Sequence, residues 1–166
     1  MIIDVDDVEL FEFDRIGIVP YVVLKKRCWF LLGKDARTGD YCDFGGRIEK
    51  YETKFAAAIR EFMEETKEIM DPSGLSHKCA IYDKRNKICI IFSKIKDPSF
   101  YLTAETKFQT TKEKMKFQEM SKIKWFSELQ MIKNIYKFPT KLWNRVKFAL
   151  CNCSDFNDQL LETLKE

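Results

Sequence analysis

The chain holds a single histidine, His77, and no two of its six cysteines have CxxC spacing. A zinc site built from such ligands is therefore not expected. The cysteines, at 28, 42, 79, 89, 151 and 153, read instead as reduced, mostly buried thiols of an intracellular, cytoplasmic protein. No apolar run approaches the ~18 residues that a membrane span needs, so no membrane contact is expected. Basic residues are missing from Met1 to Asp14, which carries six acidic ones; a secretory or mitochondrial leader has the opposite character. Repeats, low-complexity tracts and long linkers are absent too. The net charge, 29 − 26 = +3, is too small to imply a nucleic-acid partner by itself. Aromatic residues, by contrast, are plentiful: 14 Phe, 6 Tyr and 3 Trp in 166 residues exclude a disordered chain and suit one domain over residues 1–166. Lysines outnumber arginines 22 to 7, a bias typical of an AT-rich genome.

Ile16–Leu24 and Cys28–Leu32 are rich in β-formers and flank the basic turn Lys25-Lys26-Arg27, which predicts a hairpin. Lys78–Tyr82, Ile88–Ile95 and Lys122–Phe126 read as further strands. Between them, Phe55, Ile59, Phe62, Thr66 and Ile69 recur at helical spacing, with Thr53 as N-cap and Pro72 as breaker, which predicts a helix over about 53–70. C-terminal helices are expected within about 139–164. Strands mixed with helices define an α/β domain. Charge is uneven: Thr106 to Lys147 holds eleven basic residues against Glu113, Glu119 and Glu128, a local +8. That stretch is either a solvated face or a surface that attracts a polyanion.

The central helix carries an unusual load of carboxylates. Glu61, Glu64, Glu65 and Glu68 stand three, four and seven residues apart, so they share a face. On a continuous helix Glu61 faces Glu65 and Glu64 faces Glu68, and each like-charge pair costs about 0.2–0.5 kcal/mol. A carboxylate cluster opposite an apolar stripe suits a hard divalent cation, Mg2+ or Mn2+. Gly45-Gly46 just upstream lets a backbone carbonyl come close to such a cation.

Gly46, Glu52, Arg60-Glu61, Phe62 and Glu64-Glu65 fall at the spacing GX5EX7REUXEE, and the segment resembles the Nudix box. Lys67 stands where the box has its last glycine, and Glu68 where it has an apolar residue; without the glycine, the helix is expected to run on towards Pro72. Trp125-Phe126-Ser127-Glu128-Leu129 is similar to a segment near the end of the Nudix fold. The resemblance implies an α/β/α sandwich with a mixed central sheet flanked by helices. It also implies hydrolysis of a phosphoanhydride in a nucleoside diphosphate-linked substrate, with Mg2+ or Mn2+ as cofactor.

Carried over residue by residue, the resemblance implies Glu61, Glu64, Glu65 and the carbonyl of Gly45 as metal ligands. Glu61 and Glu65 would touch the ion most directly, and either is a candidate base. Arg60 would orient Glu61, and Glu52 would hold Arg60. Arg47 is placed to meet a phosphate. A carboxylate from outside the box often joins such a site; Glu119 is the choice here, with Glu113 and Glu105 as rivals. The box leaves the leaving group open. The lysine-rich 107–147 stretch, with Lys112, Lys114 and Lys116 as candidate substrate contacts, favours a substrate with many phosphates, such as capped RNA, a dinucleoside polyphosphate or a diphosphoinositol polyphosphate; mRNA decapping is the leading single activity. Small nucleotides (dinucleoside polyphosphates, nucleoside triphosphates, NDP-sugars) and diphosphoinositol polyphosphates are the alternatives. The composition fits a Nudix protein of a large DNA virus, acting in host cytoplasm, or of an AT-rich microbe. A catalytically inactive nucleotide- or RNA-binding module is the reading of another class, and the retained Arg60, Glu61, Glu64 and Glu65 count against it.

Overall fold

The computed structural model describes residues 1–114, 118–136, 141–152 and 159–166. Its frame is an eight-stranded mixed sheet in which β2 (Arg15–Leu24) is the hub. β2 turns back into β3 (Arg27–Asp35) through Lys25 and Lys26, both at positive φ (50° and 63°). Left-handed residues at both corners match the twist of the strands they join, so the basic turn makes the predicted hairpin. The other edge of β2 runs parallel to β7 (Ile88–Ile95), and its first half also pairs with β5 (Phe44–Arg47). β6 (Leu75–Asp83) pairs with β7 and carries the short β1 (Ile2–Ile3) on its far side. β3 pairs with β4 (Tyr41–Cys42) and with β8 (Met120–Ser127).

Near-continuous apolar runs mark strands covered on both faces, and residues 16, 18, 19, 21 and 22 of β2 and 88–92 of β7 are buried throughout. α1 (Lys54–Glu65) packs on β2 and β5, while α5 (Leu161–Lys165) packs on β3 and β6, so helices flank the sheet in an α/β/α sandwich. α3 (Glu128–Tyr136) and α4 (Asn144–Asn152) pack on each other. Glu128 ties the end of the fold together: it accepts the Cys28 N–H at 3.1 Å and pairs with Lys165 of α5 at 3.1 Å. Of the thiols, Cys28, Cys42, Cys79 and Cys89 are buried, and these and Cys151 form no disulfide among the described residues. Among the described residues, no helix is long and apolar enough to cross a membrane.

Thr53 caps α1 as expected, its side chain accepting the Ala56 N–H at 3.1 Å. The far end differs. α1 stops at Glu65 rather than near residue 70, because Lys67 and Glu68 are both left-handed at φ 56°. Lys67 N–H returns to Glu64 O and Glu68 N–H to Met63 O, at 3.2 and 3.0 Å. This is the paired closure that normally ends on glycine. A lysine takes the glycine's place because its ammonium finds other partners: the Phe108 and Thr111 carbonyls, each at 3.2 Å, and the Phe108 ring. Those carbonyls close α2 (Phe100–Thr110), a helix that the sequence reading passed over and that buries Phe100, Ala104 and Phe108. The buried side of α1 also differs from the expected apolar stripe: Ala57, Ala58 and Phe62 share it with Glu61 and Glu65. At the C-terminus, the helices span 144–152 and 161–165 within the described residues; 139–140 and 153–158 of the expected range lie outside them.

Candidate metal centre

α1 and the strand before it put the acidic side chains in place. β5 ends on Gly45, Gly46 and Arg47 and runs antiparallel to β2, Gly45 opposite Gly17. α1 then lays its buried glutamates against those glycines. A side chain at Gly46 would collide with the Glu61 carboxylate, so only glycine leaves room for it. Gly45 N–H donates to Glu65 Oε2 at 2.7 Å.

Glu119, one residue before β8, brings a third carboxylate. Glu61, Glu65 and Glu119 each offer a ligand atom within 4.8 Å of the others. They come from two segments more than fifty residues apart. Their company is electrostatically costly: burial pushes the Glu65 carboxyl well above its ordinary range, and Asp43 and Glu61 add to the rise. Burial likewise raises Glu61, opposed by its bond to Arg60. Three hard oxygen donors, two of them buried, are the donor set that Mg2+ or Mn2+ prefers.

Arg60 links the expected partners. Its Nε and Nη2 donate to the two oxygens of Glu52 at 3.2 and 2.8 Å, and its Nη1 to Glu61 Oε1 at 2.7 Å. Nη2 also reaches the Arg47 carbonyl at 3.1 Å. The bond from Arg60 holds the Glu52 carboxyl below its usual range. Glu64 stands apart from the trio, partly exposed, with its carboxylate 3.5 Å from Arg60 Nη1. Glu68, off the helix, pairs with Lys114; the expected Glu64–Glu68 repulsion on one helix face is thus replaced by two separate cation contacts.

Beneath the trio lies a pair that the sequence reading missed. Asp43, fully buried, accepts from Arg15 Nη1 at 2.6 Å, while Arg15 Nη2 donates to the Gly45 carbonyl at 2.9 Å. The guanidinium rests on the Trp143 ring, 5.0 Å from its centroid. The Gly45 carbonyl nominated as a ligand therefore already accepts one bond, which leaves its second lone pair. The only sequence signal for this pair was two opposite charges beside apolar runs, Arg15 at the start of β2 and Asp43 between β4 and β5.

The remaining nominated residues are dispersed. Arg47 is exposed and lines a cavity of about 520 Å3 with Glu9, Phe13, Asp14, Ile48, Glu52 and Lys54. Lys112 is exposed, Lys114 is committed to Glu68, and Lys116 lies outside the described residues. Of the rivals to Glu119, Glu105 accepts the Trp125 N–H at 3.3 Å and Glu113 the Lys114 N–H at 3.0 Å; neither is in the trio.

The NUDIX domain family model matches residues 14–146, and the chain belongs to that family. Among solved structures, the C. elegans Ap4A hydrolase aligns over 87% of this chain and 96% of its own, at 20% identity and a TM-score of 0.55. A Nudix hydrolase from M. smegmatis aligns over 86% and 83%, at 13% identity and a TM-score of 0.56. A NUDIX hydrolase from Listeria monocytogenes aligns over 92% and 94%, at 16% identity and a TM-score of 0.52. At these identities the likeness is one of fold. No curated relative matches the chain.

Proposed function

We propose that this Nudix domain is a metal-dependent pyrophosphohydrolase that cleaves a phosphoanhydride bond in a nucleoside diphosphate-linked substrate. The observation that carries the reading is the convergence of Glu61, Glu65 and Glu119. These three would hold Mg2+ or Mn2+, with Glu64 and the Gly45 carbonyl as further donors. The cation supplies charge neutralisation at the phosphate oxygens and a lowered pKa for the attacking water. The chain's own residues do the positioning. Arg60 engages one oxygen of Glu61 and Gly45 N–H one oxygen of Glu65, so each carboxylate keeps its other oxygen for the cation. Glu52 keeps Arg60 from swinging away. Arg15 and Asp43 hold Gly45 from below.

Capped RNA is the first substrate to test, because Lys112, Lys122 and Lys124 add exposed positive charge in the stretch that leads to and follows Glu119. Cysteines that form no disulfide among the described residues suit a reducing, cytoplasmic setting. The test is turnover of capped RNA, cap dinucleotide, dinucleoside polyphosphates, nucleoside triphosphates, NDP-sugars and a diphosphoinositol polyphosphate, each with Mg2+, with Mn2+ and with EDTA. Hydrolysis of at least one of these, abolished by EDTA, is expected. Turnover that survives chelation, or none on any substrate, would overturn the reading. A lead of capped RNA over the cap dinucleotide that shrinks as salt rises is the mark of the decapping form.

A further inference from the structure

The turn from β3 to β4 carries a feature that the box does not account for. Asp35 closes this turn: one carboxylate oxygen accepts the N–H groups of Arg37 and Thr38 at 2.8 and 2.7 Å. Its backbone completes the loop, with Asp35 N–H on Asp40 O and Gly39 N–H on Asp35 O, both at 2.9 Å. The next residue reaches outward, and Ala36 N–H donates to the Glu119 carbonyl at 2.8 Å. There the β3–β8 register slips: Lys34 faces Lys122 but Asp35 faces Met120, so Ser121 is the extra residue, its Oγ donating to Lys34 O at 3.2 Å. A bulge re-aims the side chains beyond it, since a one-residue slip exchanges the two faces of a strand. Turn and bulge together seat Glu119 beside Glu61 and Glu65.

The same turn brings a cation to that place. Asp35, Ala36, Arg37, Gln118 and Glu119 line one cavity of about 540 Å3. Arg37 is its only basic lining residue, is exposed, and forms no ion pair among the described residues. Asp35 does not pair with it among the described residues; its Oδ1 accepts the two turn N–H groups instead. None of the three clustered carboxylates lines the cavity of Arg47. Arg37 thus shares a cavity with Glu119, the one of the three clustered carboxylates that lines it.

We propose that Arg37 binds the phosphates that extend beyond the cleaved bond, so that the enzyme prefers bridges of three or more phosphates to a diphosphate. The proposal rests on the reading of Glu61, Glu65 and Glu119 as the metal site. A cation held by Glu61, Glu65 and Glu119 would neutralise the phosphates at the cleaved bond, and a further phosphate entering the cavity beside Glu119 would meet Arg37. There a planar guanidinium can grip it through two N–H donors.

Two measurements test this. Kinetics compare ADP-ribose with diadenosine tri-, tetra- and pentaphosphate for the wild type, Arg37→Ala and Arg37→Lys. With Arg37→Ala, KM is expected to rise with phosphate number, by about 10-fold or more for the longest bridges, with kcat within about 2-fold. Arg37→Lys should recover part of the loss. An equal KM rise for every bridge, no rise, or a fall in kcat alone overturns the proposal. Calorimetric binding of tripolyphosphate against pyrophosphate in the presence of Mn2+ needs no turnover: the wild type should prefer tripolyphosphate, and Arg37→Ala should lose that preference. No preference in the wild type also overturns it. The metal site is judged separately, by Mn2+ affinity in Glu119→Gln; an undiminished affinity refutes that site whatever Arg37 does.

Discussion

Glu61 with Glu65 and Glu64 with Glu68 are two pairs of the same residue at the same spacing, and the structure treats them differently. The first pair is buried against glycines, its carboxyls are pushed upward by burial, and Glu119 is brought in as a third anion. The second pair is split by the end of the helix, and each member stands near solvent beside a cation, Arg60 or Lys114. Spacing alone made the four look equivalent. Burial is what separates a cluster that calls for a bound cation from carboxylates that water and surface charges can satisfy.

The sharpest way to break this comparison is a glutamine scan. Glu65→Gln is expected to lower kcat by at least about 100-fold, since a lost ligand removes transition-state charge stabilisation. Glu64→Gln should also lower it, but by less, while Glu68→Gln should stay within about 2-fold. Steady-state kinetics on the best substrate of the panel, with circular dichroism to verify folding, checks the series. Equal losses for Glu65 and Glu68 would erase the distinction.

Next in size is the guanidinium that serves both pairs. Arg60→Ala is expected to cost about 10–100-fold in activity, the usual range when a group that holds a metal ligand is lost. Arg60→Lys should recover only part, because an ammonium cannot span both oxygens of Glu52 and Glu61 at once. Full activity in Arg60→Lys would show that the observed bridge does not orient Glu61.

The box was legible because its chemistry is local: Arg60, Glu61, Glu64 and Glu65 lie on one helix and Glu52 just before its cap, all within fourteen residues. Glu119 was nominated because it stands six residues before Trp125, and it lies one residue before β8. Arg15 and Asp43 were not legible, since they meet through the pairing of β2 with β5, across 28 residues. α2 was missed because its buried residues, Phe100, Ala104 and Phe108, are spaced four apart among polar neighbours and include only two large ones. The end of α1 was misjudged for a different reason. Lysine ordinarily continues a helix, and only a tertiary contact with α2 shows why it turns left-handed here.

A third prediction uses pH to compare the pairs. Burial raises the folded pKa of Glu65 and Glu61 above that of the unfolded chain, so the folded state holds these protons more tightly. The resulting stability is present below the ordinary carboxylate pKa of about 4.3 and is lost as pH rises through the raised folded values. In EDTA, Tm should therefore fall as pH climbs from the ordinary carboxylate range towards neutrality, and Glu65→Gln should flatten that fall. Mn2+ should restore Tm at neutral pH, since it takes the place of the missing protons. Glu68→Gln should leave the profile of the wild type in place. Identical profiles for wild type and Glu65→Gln would mean that its burial carries no cost.

The smallest effect is at Lys67, where the second pair is separated from the first. A left-handed backbone costs a residue with a Cβ roughly 1–2 kcal/mol and glycine little. The Lys67 ammonium offsets this by bonding the Phe108 and Thr111 carbonyls. Lys67→Gly removes the backbone cost and the two bonds together, so its stability should stay within about 1 kcal/mol of the wild type. Lys67→Ala removes the bonds but keeps the backbone cost, so it should be less stable than Lys67→Gly by about 1 kcal/mol. Urea denaturation of the two variants isolates that difference, because they differ by one methyl group and share the loss of the ammonium. Both keep Glu61, Glu65 and Glu119, so kcat should change by no more than a few-fold. Alanine as stable as glycine would mean that the left-handed turn after Glu65 is not what divides the two glutamate pairs.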